Sequence, residues 1–81
     1  GKLTPMSDIA ARLEARISAY GARIARHEDE IRRIEAELTD PTGCADCRKK
    51  RLRNSLTRNR HAITRLSRQR EIDRERLAAL P

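Results

Sequence analysis

The stretch that decides the fold is Thr-Asp-Pro-Thr-Gly-Cys-Ala-Asp-Cys, residues 39–47. Its first five residues are typical of turns, so a helix that arrives from the N-terminal side ends here. On both sides of the stretch, apolar residues recur at alternating intervals of three and four, which is the spacing of a coiled-coil seam. The sequence therefore predicts two long helices joined by a turn, with a Cys-x-x-Cys motif near its tip.

The two predicted helices differ in their seams, because the second contains several polar residues. The first seam consists of Met6, Ala10, Leu13, Ile17, Tyr20, Ile24, His27, Ile31, Ile34 and Leu38, and the second of Lys49, Leu52, Leu56, Asn59, Ile63, Leu66, Arg70, Asp73, Leu77 and Leu80.

We expect helix 1 at about 6–38, a loop at about 39–46 and helix 2 at about 47–79, within one domain spanning 1–81. The predicted fold class is all-α, an antiparallel coiled-coil helical hairpin.

Two alignments of the seams are open, and we favour the one with the wider loop. It places the polar seam residues His27 and Asn59 opposite each other, and such a pair fixes the register. The alternative to this structural role is that His27 binds a metal or senses pH. The same alignment opposes charges at the flanks, in the pairs Glu35–Arg53, Glu28–Arg60, Glu14–Arg74 and Glu37–Arg48. The tighter alignment sets His27 against Leu52 and keeps fewer charge pairs.

Two positions depart from a regular coiled coil. Arg70 and Asp73 stand in the second seam. Because they are three residues apart they can satisfy each other, or the end of the hairpin away from the loop splays or receives a partner. Gly21 interrupts helix 1 opposite Ser67. Two small residues there would let the backbones approach closely, and the alternative is a tolerated glycine that costs about 1 kcal/mol.

A second set of small residues follows the face of helix 1 that points away from the seam. They are Ala11, Ala15, Ser18, Ala22, Ala25 and Ala36. Helix propensity alone could explain them, because Ala is the best helix former. A single helical pair has a thin core, however, since each helix offers about two seam positions in seven. We therefore expect a homodimer, arranged as a four-helix bundle.

Positive charge is concentrated in helix 2. Residues 48–70 contain ten basic side chains and no acidic one, whereas residues 1–42 contain seven basic and eight acidic side chains. The outward residues that we expect to bind a polyanion are Lys50, Arg51, Arg58, His61, Arg65 and Arg68, with Asn54, Thr57 and Thr64 as further donors. The expected partner is the backbone of a nucleic acid or an acidic protein. With Tyr20 as the sole aromatic residue, base stacking is not expected.

Cys44 and Cys47 form a Cys-x-x-Cys motif, which supplies half of a tetrahedral zinc site. His27 and His61 are too far along the helices to complete it, so four ligands require two chains meeting tip to tip. A hairpin with this motif at its apex resembles the zinc hook of long coiled-coil DNA-repair ATPases, although Ala45 stands where the hook normally has Pro. The resemblance implies a zinc ion shared between two chains. A redox role and two incidental cysteines remain the alternatives.

These patterns predict a non-enzymatic, self-associating accessory or regulatory protein with a basic binding face. The alternative function is an architectural tether joined through Cys44 and Cys47 by zinc or a disulfide, and the third is a thiol redox protein. No catalytic constellation, phosphate loop or cleft for a small-molecule substrate is apparent. No membrane span or signal peptide is apparent either, and we expect a cytoplasmic protein with reduced cysteines.

Overall fold

The chain folds as a helical hairpin. In the computed structural model, which describes residues 5–40, 43 and 45–81, helix α1 spans Pro5–Leu38 and helix α2 spans Asp46–Ala78. The two helices pack against each other along a molecule of 62 × 20 × 14 Å. The all-α hairpin predicted from the seams is thus confirmed, and the expected helix limits were 6–38 and 47–79. The predicted four-helix dimer involves a second copy and stays a prediction.

The turn ends α1 through hydrogen bonds made by its own residues. The Thr39 amide donates to the Glu35 carbonyl at 3.1 Å. The Thr39 hydroxyl lies 3.1 Å from the carbonyl oxygens of both Glu35 and Ala36, so it can donate to either carbonyl of the last turn. The Gly43 amide then donates to the Asp40 carbonyl at 3.3 Å. Gly43 has φ = 44°, a left-handed conformation that glycine adopts without a Cβ penalty. Helix α2 restarts at Asp46, whose carboxylate in the first turn suits the helix dipole.

The helices adopt the wider of the two alignments. His27 Nδ1 lies 2.8 Å from Asn59 Oδ1, and Arg48 Nη2 lies 3.2 Å from Glu37 Oε2. Both contacts belong to the wider alignment, and the tighter one would have set His27 against Leu52.

The hydrogen bonds also identify which His27 nitrogen is protonated. Asn59 Nδ2 donates to the Ser55 carbonyl at 2.8 Å, which leaves the acceptor-only oxygen of the amide facing the histidine. His27 Nδ1 therefore carries a proton and donates it.

The other predicted flank pairs are not formed, and this part of the prediction was wrong. Within the described residues, Glu28–Arg60, Glu35–Arg53 and Glu14–Arg74 are absent from the ion pairs closer than 4 Å, and Arg74 instead approaches Glu71 at 3.8 Å. All these side chains are exposed. An exposed ion pair gains little in water and must order two long side chains, so nothing holds these partners together.

The core is a narrow strip along the two seams. Its buried apolar residues are Leu13, Ile24, Ile34, Ala62 and Leu66, each 7% exposed or less. Most other seam residues are half-buried, because each helix covers its partner from one side only. Ala62 stands beside the predicted seam rather than on it, and its small side chain lets α1 cover it fully.

Asp73 is the most buried side chain of the open end, with no exposed surface. The pair with Arg70 that the spacing allowed is not among the ion pairs of the described residues. Asp73 instead lies 3.2 Å from Arg16 Nε of α1 and 3.6 Å from Arg76 of its own helix. Neither contact has hydrogen-bond geometry, and the carboxylate oxygens accept no hydrogen bond from the described residues. A hydrogen bond to Tyr20 and, secondly, the Asp73 charge raise the pKa of Arg16 above its usual value.

Candidate nucleic-acid interface

The predicted binding residues all lie on the solvent side of α2. Lys50, Arg51, Arg58, His61, Arg65 and Arg68 are each exposed, as are Asn54, Thr57 and Thr64. Their common orientation follows from helix geometry, since the seam residues Leu52, Leu56, Ile63 and Leu66 occupy the opposite side of the same turns. We call this exposed surface of α2, from Lys50 to Arg68, the basic face.

The basic face has little acidic neutralisation from the rest of the hairpin. Two acids of α1 pair within their own helix, Asp29 with Arg32 and Glu30 with Arg33. Among the described residues, Glu37 is the acid of α1 that forms an ion pair with α2, and its partner is Arg48 near the loop. Arg53 and Arg60, which the flank pairing would have neutralised, have no acidic group within 4 Å in the described part of the chain. The uncompensated charge is thus larger than the sequence predicted.

A shallow depression lies at the loop-proximal end of the basic face. It encloses about 390 Å³ and is lined by Arg51, Asn54, Thr57 and Arg58. Arg51 and Arg58 stand two turns apart with Asn54 between them, so two guanidinium groups and an amide border one concavity. Each guanidinium presents its N–H donors in a planar fork, and this arrangement matches the oxygens of a phosphate.

The threonines of the basic face are not the free donors that the sequence suggested. Thr57 donates its hydroxyl proton to the Arg53 carbonyl, and Thr64 donates to the Arg60 carbonyl, each at 3.1 Å. A hydroxyl has one proton to give. Both threonines would have to give up a backbone hydrogen bond before binding a phosphate oxygen. The donors available at once are therefore the arginine, lysine, asparagine and histidine side chains.

The cysteine motif is described only in part. Cys44 lies outside the described residues, and Cys47 is exposed and free at the second position of α2. No group of three or more His, Cys, Asp and Glu side chains in the described residues could hold a metal ion. Because the predicted zinc site draws its four ligands from two chains, zinc, disulfide and redox roles for this motif stay predictions.

His27 does not belong to the basic face. It is half-buried between the helices, and its Nδ1 is engaged by Asn59. This placement agrees with the structural role expected for a polar pair in a coiled-coil seam.

The residue that sequence analysis missed is Arg16, the cross-helix partner of Asp73. In the observed alignment Asp73 lies opposite the Leu13–Ile17 turn of α1, which contains Arg16. The alignment favoured from the sequence could therefore have predicted this pair.

Comparison of the chain with protein-family models, curated proteins and solved structures found no match. In the described part of the chain, neither helix is apolar enough over a sufficient length to cross a membrane.

Proposed function

We propose that this protein is a non-enzymatic helical hairpin whose basic face binds the phosphate backbone of duplex nucleic acid. The observation that supports the proposal is that the exposed arginines repeating along α2 have no acidic partner in the described part of the chain. Arg51, Arg58 and Arg65 stand seven residues apart, so their Cα atoms follow one another at about 10 Å intervals. A regular row of cations suits a polymer with regularly spaced anions better than the irregular carboxylates of an acidic protein.

The shape of the hairpin favours contact with the backbone over the reading of bases. Its cross-section is 20 × 14 Å, whereas the major groove of B-form DNA is about 12 Å wide. Because α1 covers α2 over its whole length, α2 cannot enter the groove as a free recognition helix. Little discrimination between sequences is therefore expected, since phosphate contacts position a protein without reading bases.

We also propose that two hairpins associate through the small residues on the outer face of α1. Ala11, Ala15, Ser18, Ala22 and Ala25 are all exposed in the single chain. The chain exposes 6327 Å², whereas a compact monomer of 9.3 kDa would expose about 5,000 Å². A dimer interface that buries about 800 Å² on each partner would remove much of this excess. It would leave both basic faces free.

The test of binding compares two triple variants of equal charge. Arg51→Ala, Arg58→Ala and Arg65→Ala remove three positive charges from the basic face, and Arg12→Ala, Arg23→Ala and Arg26→Ala remove three from exposed positions of α1. Each changes the net charge from +7 to +4 (7 − 3 = 4). Affinity for a labelled 20-base-pair duplex would be measured by fluorescence anisotropy across a salt series.

The α2 variant should lose most of its affinity, and its plot of log affinity against log salt should flatten by about 2–3 units, since each neutralised phosphate contributes about 0.9. The α1 variant should keep nearly the wild-type slope. Equal losses in the two variants would mean that net charge alone drives binding. Absence of binding by the wild-type protein at low salt would exclude the proposal and leave an acidic protein as the partner to be sought.

The test of association is sedimentation at micromolar concentration. We expect a mass of at least twice 9.3 kDa, and an Ala22→Glu variant should shift the chain toward monomer because the new charge would be buried in the contact. A wild-type chain that sediments as a monomer would rule out the dimer without affecting the binding proposal.

A further inference from the structure

The basic face contains the same arrangement twice, displaced by one heptad. Residues 51–57 read Arg-Leu-Arg-Asn-Ser-Leu-Thr, and residues 58–64 read Arg-Asn-Arg-His-Ala-Ile-Thr. The first arginine, the second arginine and the threonine coincide, Asn54 is replaced by His61, and Arg65 follows the second unit as Arg58 follows the first. On a helix, residues seven apart lie on nearly the same side, so the repetition in sequence is a repetition on the surface.

The hydrogen bonds of the two units also coincide. Thr57 donates to the carbonyl four residues earlier and Thr64 does the same, both at 3.1 Å. The corresponding side chains Asn54 and His61 are both exposed beside them. Arg51, Asn54, Thr57 and Arg58 line the depression described above. The corresponding positions one heptad later are Arg58, His61, Thr64 and Arg65, all of them exposed.

From this repetition we infer that α2 holds two phosphate-binding subsites in tandem, with Arg58 shared between them. The inference rests on the proposed function and specifies its ligand: two phosphodiester groups of one polymer, about 10 Å apart. A duplex offers such a pair, because a minor groove about 6 Å wide places phosphorus atoms of opposite strands about 12 Å apart once the phosphate radii are added. The subsite near the loop adds the amide of Asn54 to its two arginines, and the second adds the imidazole of His61.

Sharing makes Arg58 different from its neighbours. Its guanidinium has five N–H donors in a planar fork, so it can donate to two phosphate groups at once. Arg51 and Arg65 each serve one subsite. If binding depended only on the charge of the surface, the three arginines would contribute equally to the affinity, since each carries one charge.

The experiment measures the affinity of the full chain for a 20-base-pair DNA duplex with Arg51→Ala, Arg58→Ala and Arg65→Ala made singly. Losing one charge-assisted contact should weaken binding about tenfold for Arg51→Ala and Arg65→Ala. Arg58→Ala should weaken it about a hundredfold, because both subsites lose a ligand. Circular dichroism would check that all three variants keep the wild-type helix content and melting temperature.

A charge-preserving variant separates shared donation from simple charge. Arg58→Lys should keep the wild-type salt slope, yet lose affinity about tenfold, because an ammonium group cannot reproduce the fork. The matched variants Arg51→Lys and Arg65→Lys should lose less. Equal losses across the three alanine variants, or full affinity in Arg58→Lys, would overturn the tandem subsites while leaving the proposed function intact. No binding by the wild-type chain would overturn both.

Discussion

The two ends of the hairpin seam accommodate polar groups in different ways. In the half near the loop, His27 and Asn59 form a hydrogen bond of 2.8 Å, and Asn59 also donates to the Ser55 carbonyl. In the half near the termini, Asp73 is fully buried, accepts no hydrogen bond from the described residues, and is balanced by the charges of Arg16 and Arg76. The first arrangement satisfies its polar groups, whereas the second depends on charge alone.

This difference shows what each polar position contributes to the alignment and to the stability of the hairpin. A hydrogen-bonded pair that is satisfied in only one register specifies alignment at little cost. A buried carboxylate without hydrogen bonds loses its hydration, and its attraction to two partly exposed arginines only partly offsets that loss. We therefore expect the half near the loop to be the more stable part of the molecule and the half near the termini to open first.

The largest effect is expected from truncating the core near the loop. Ile34 is 3% exposed, so Ile34→Ala should reduce the free energy of unfolding by about 2–5 kcal/mol. Leu13→Ala, in the half near the termini, should cost less because the ends of the helices can collapse onto the space. Urea unfolding followed by circular dichroism at matched protein concentration measures both. A larger loss for Leu13→Ala would reverse the comparison.

The next effect concerns Asp73. Replacing a buried residue usually lowers the free energy of unfolding, but at this position we expect an increase. Replacing the buried carboxylate by an apolar side chain, Asp73→Leu, should raise the free energy of unfolding by about 1–4 kcal/mol. Arg16→Ala should instead lower stability, because it leaves the Asp73 charge with Arg76 alone. Thermal unfolding of the two variants tests the pair. If Asp73→Leu destabilised the hairpin, the carboxylate would have to make favourable interactions beyond the two arginines.

Sequence analysis found the hairpin and its register because both depend on patterns that extend over many residues. Alternating intervals over ten seam positions define a helix face, and the polar pair then selects one alignment. Individual ion pairs such as Glu28–Arg60 were predicted wrongly, because an exposed pair contributes too little to order its side chains. The partner of Asp73 was missed because the sequence offered a nearer arginine on the same helix, although the register already places Asp73 opposite the turn of α1 that contains Arg16.

The basic face was also only partly predictable. Which residues point to solvent followed from the helix period, and the structure agrees at each position. The engagement of Thr57 and Thr64 with their own backbone was not foreseen, since the same hydroxyl can serve either the helix or a ligand. Arg53 and Arg60 have no acidic partner among the described residues, and this too depended on side-chain positions that the helix period does not determine.

A smaller effect is expected from the polar pair of the half near the loop. Asn59→Leu leaves the protonated Nδ1 of His27 without its acceptor, and a half-buried unsatisfied donor costs about 1–3 kcal/mol. Combining it with His27→Leu should recover this stability but relax the register. Distances between spin labels at Arg23 and Arg60 would then broaden relative to the wild-type protein. A single sharp distance in the double variant would show that the apolar seam alone fixes the alignment.

The smallest effect is expected at Gly21, midway along α1 between the two halves. A Cβ at this position would lie 4.0 Å from Arg70 Nη1, an ordinary contact, so close approach of the backbones does not require glycine. Gly21→Ala should therefore raise the free energy of unfolding by about 0.5–1 kcal/mol through helix propensity. The melting temperature of a chain of this size should rise by roughly 2–8 °C. Ala19→Gly, at an exposed position two residues earlier, is the control and should lower stability by a similar amount. If Gly21→Ala lowered the melting temperature instead, the helices would need to approach each other more closely at this point than their contacts indicate.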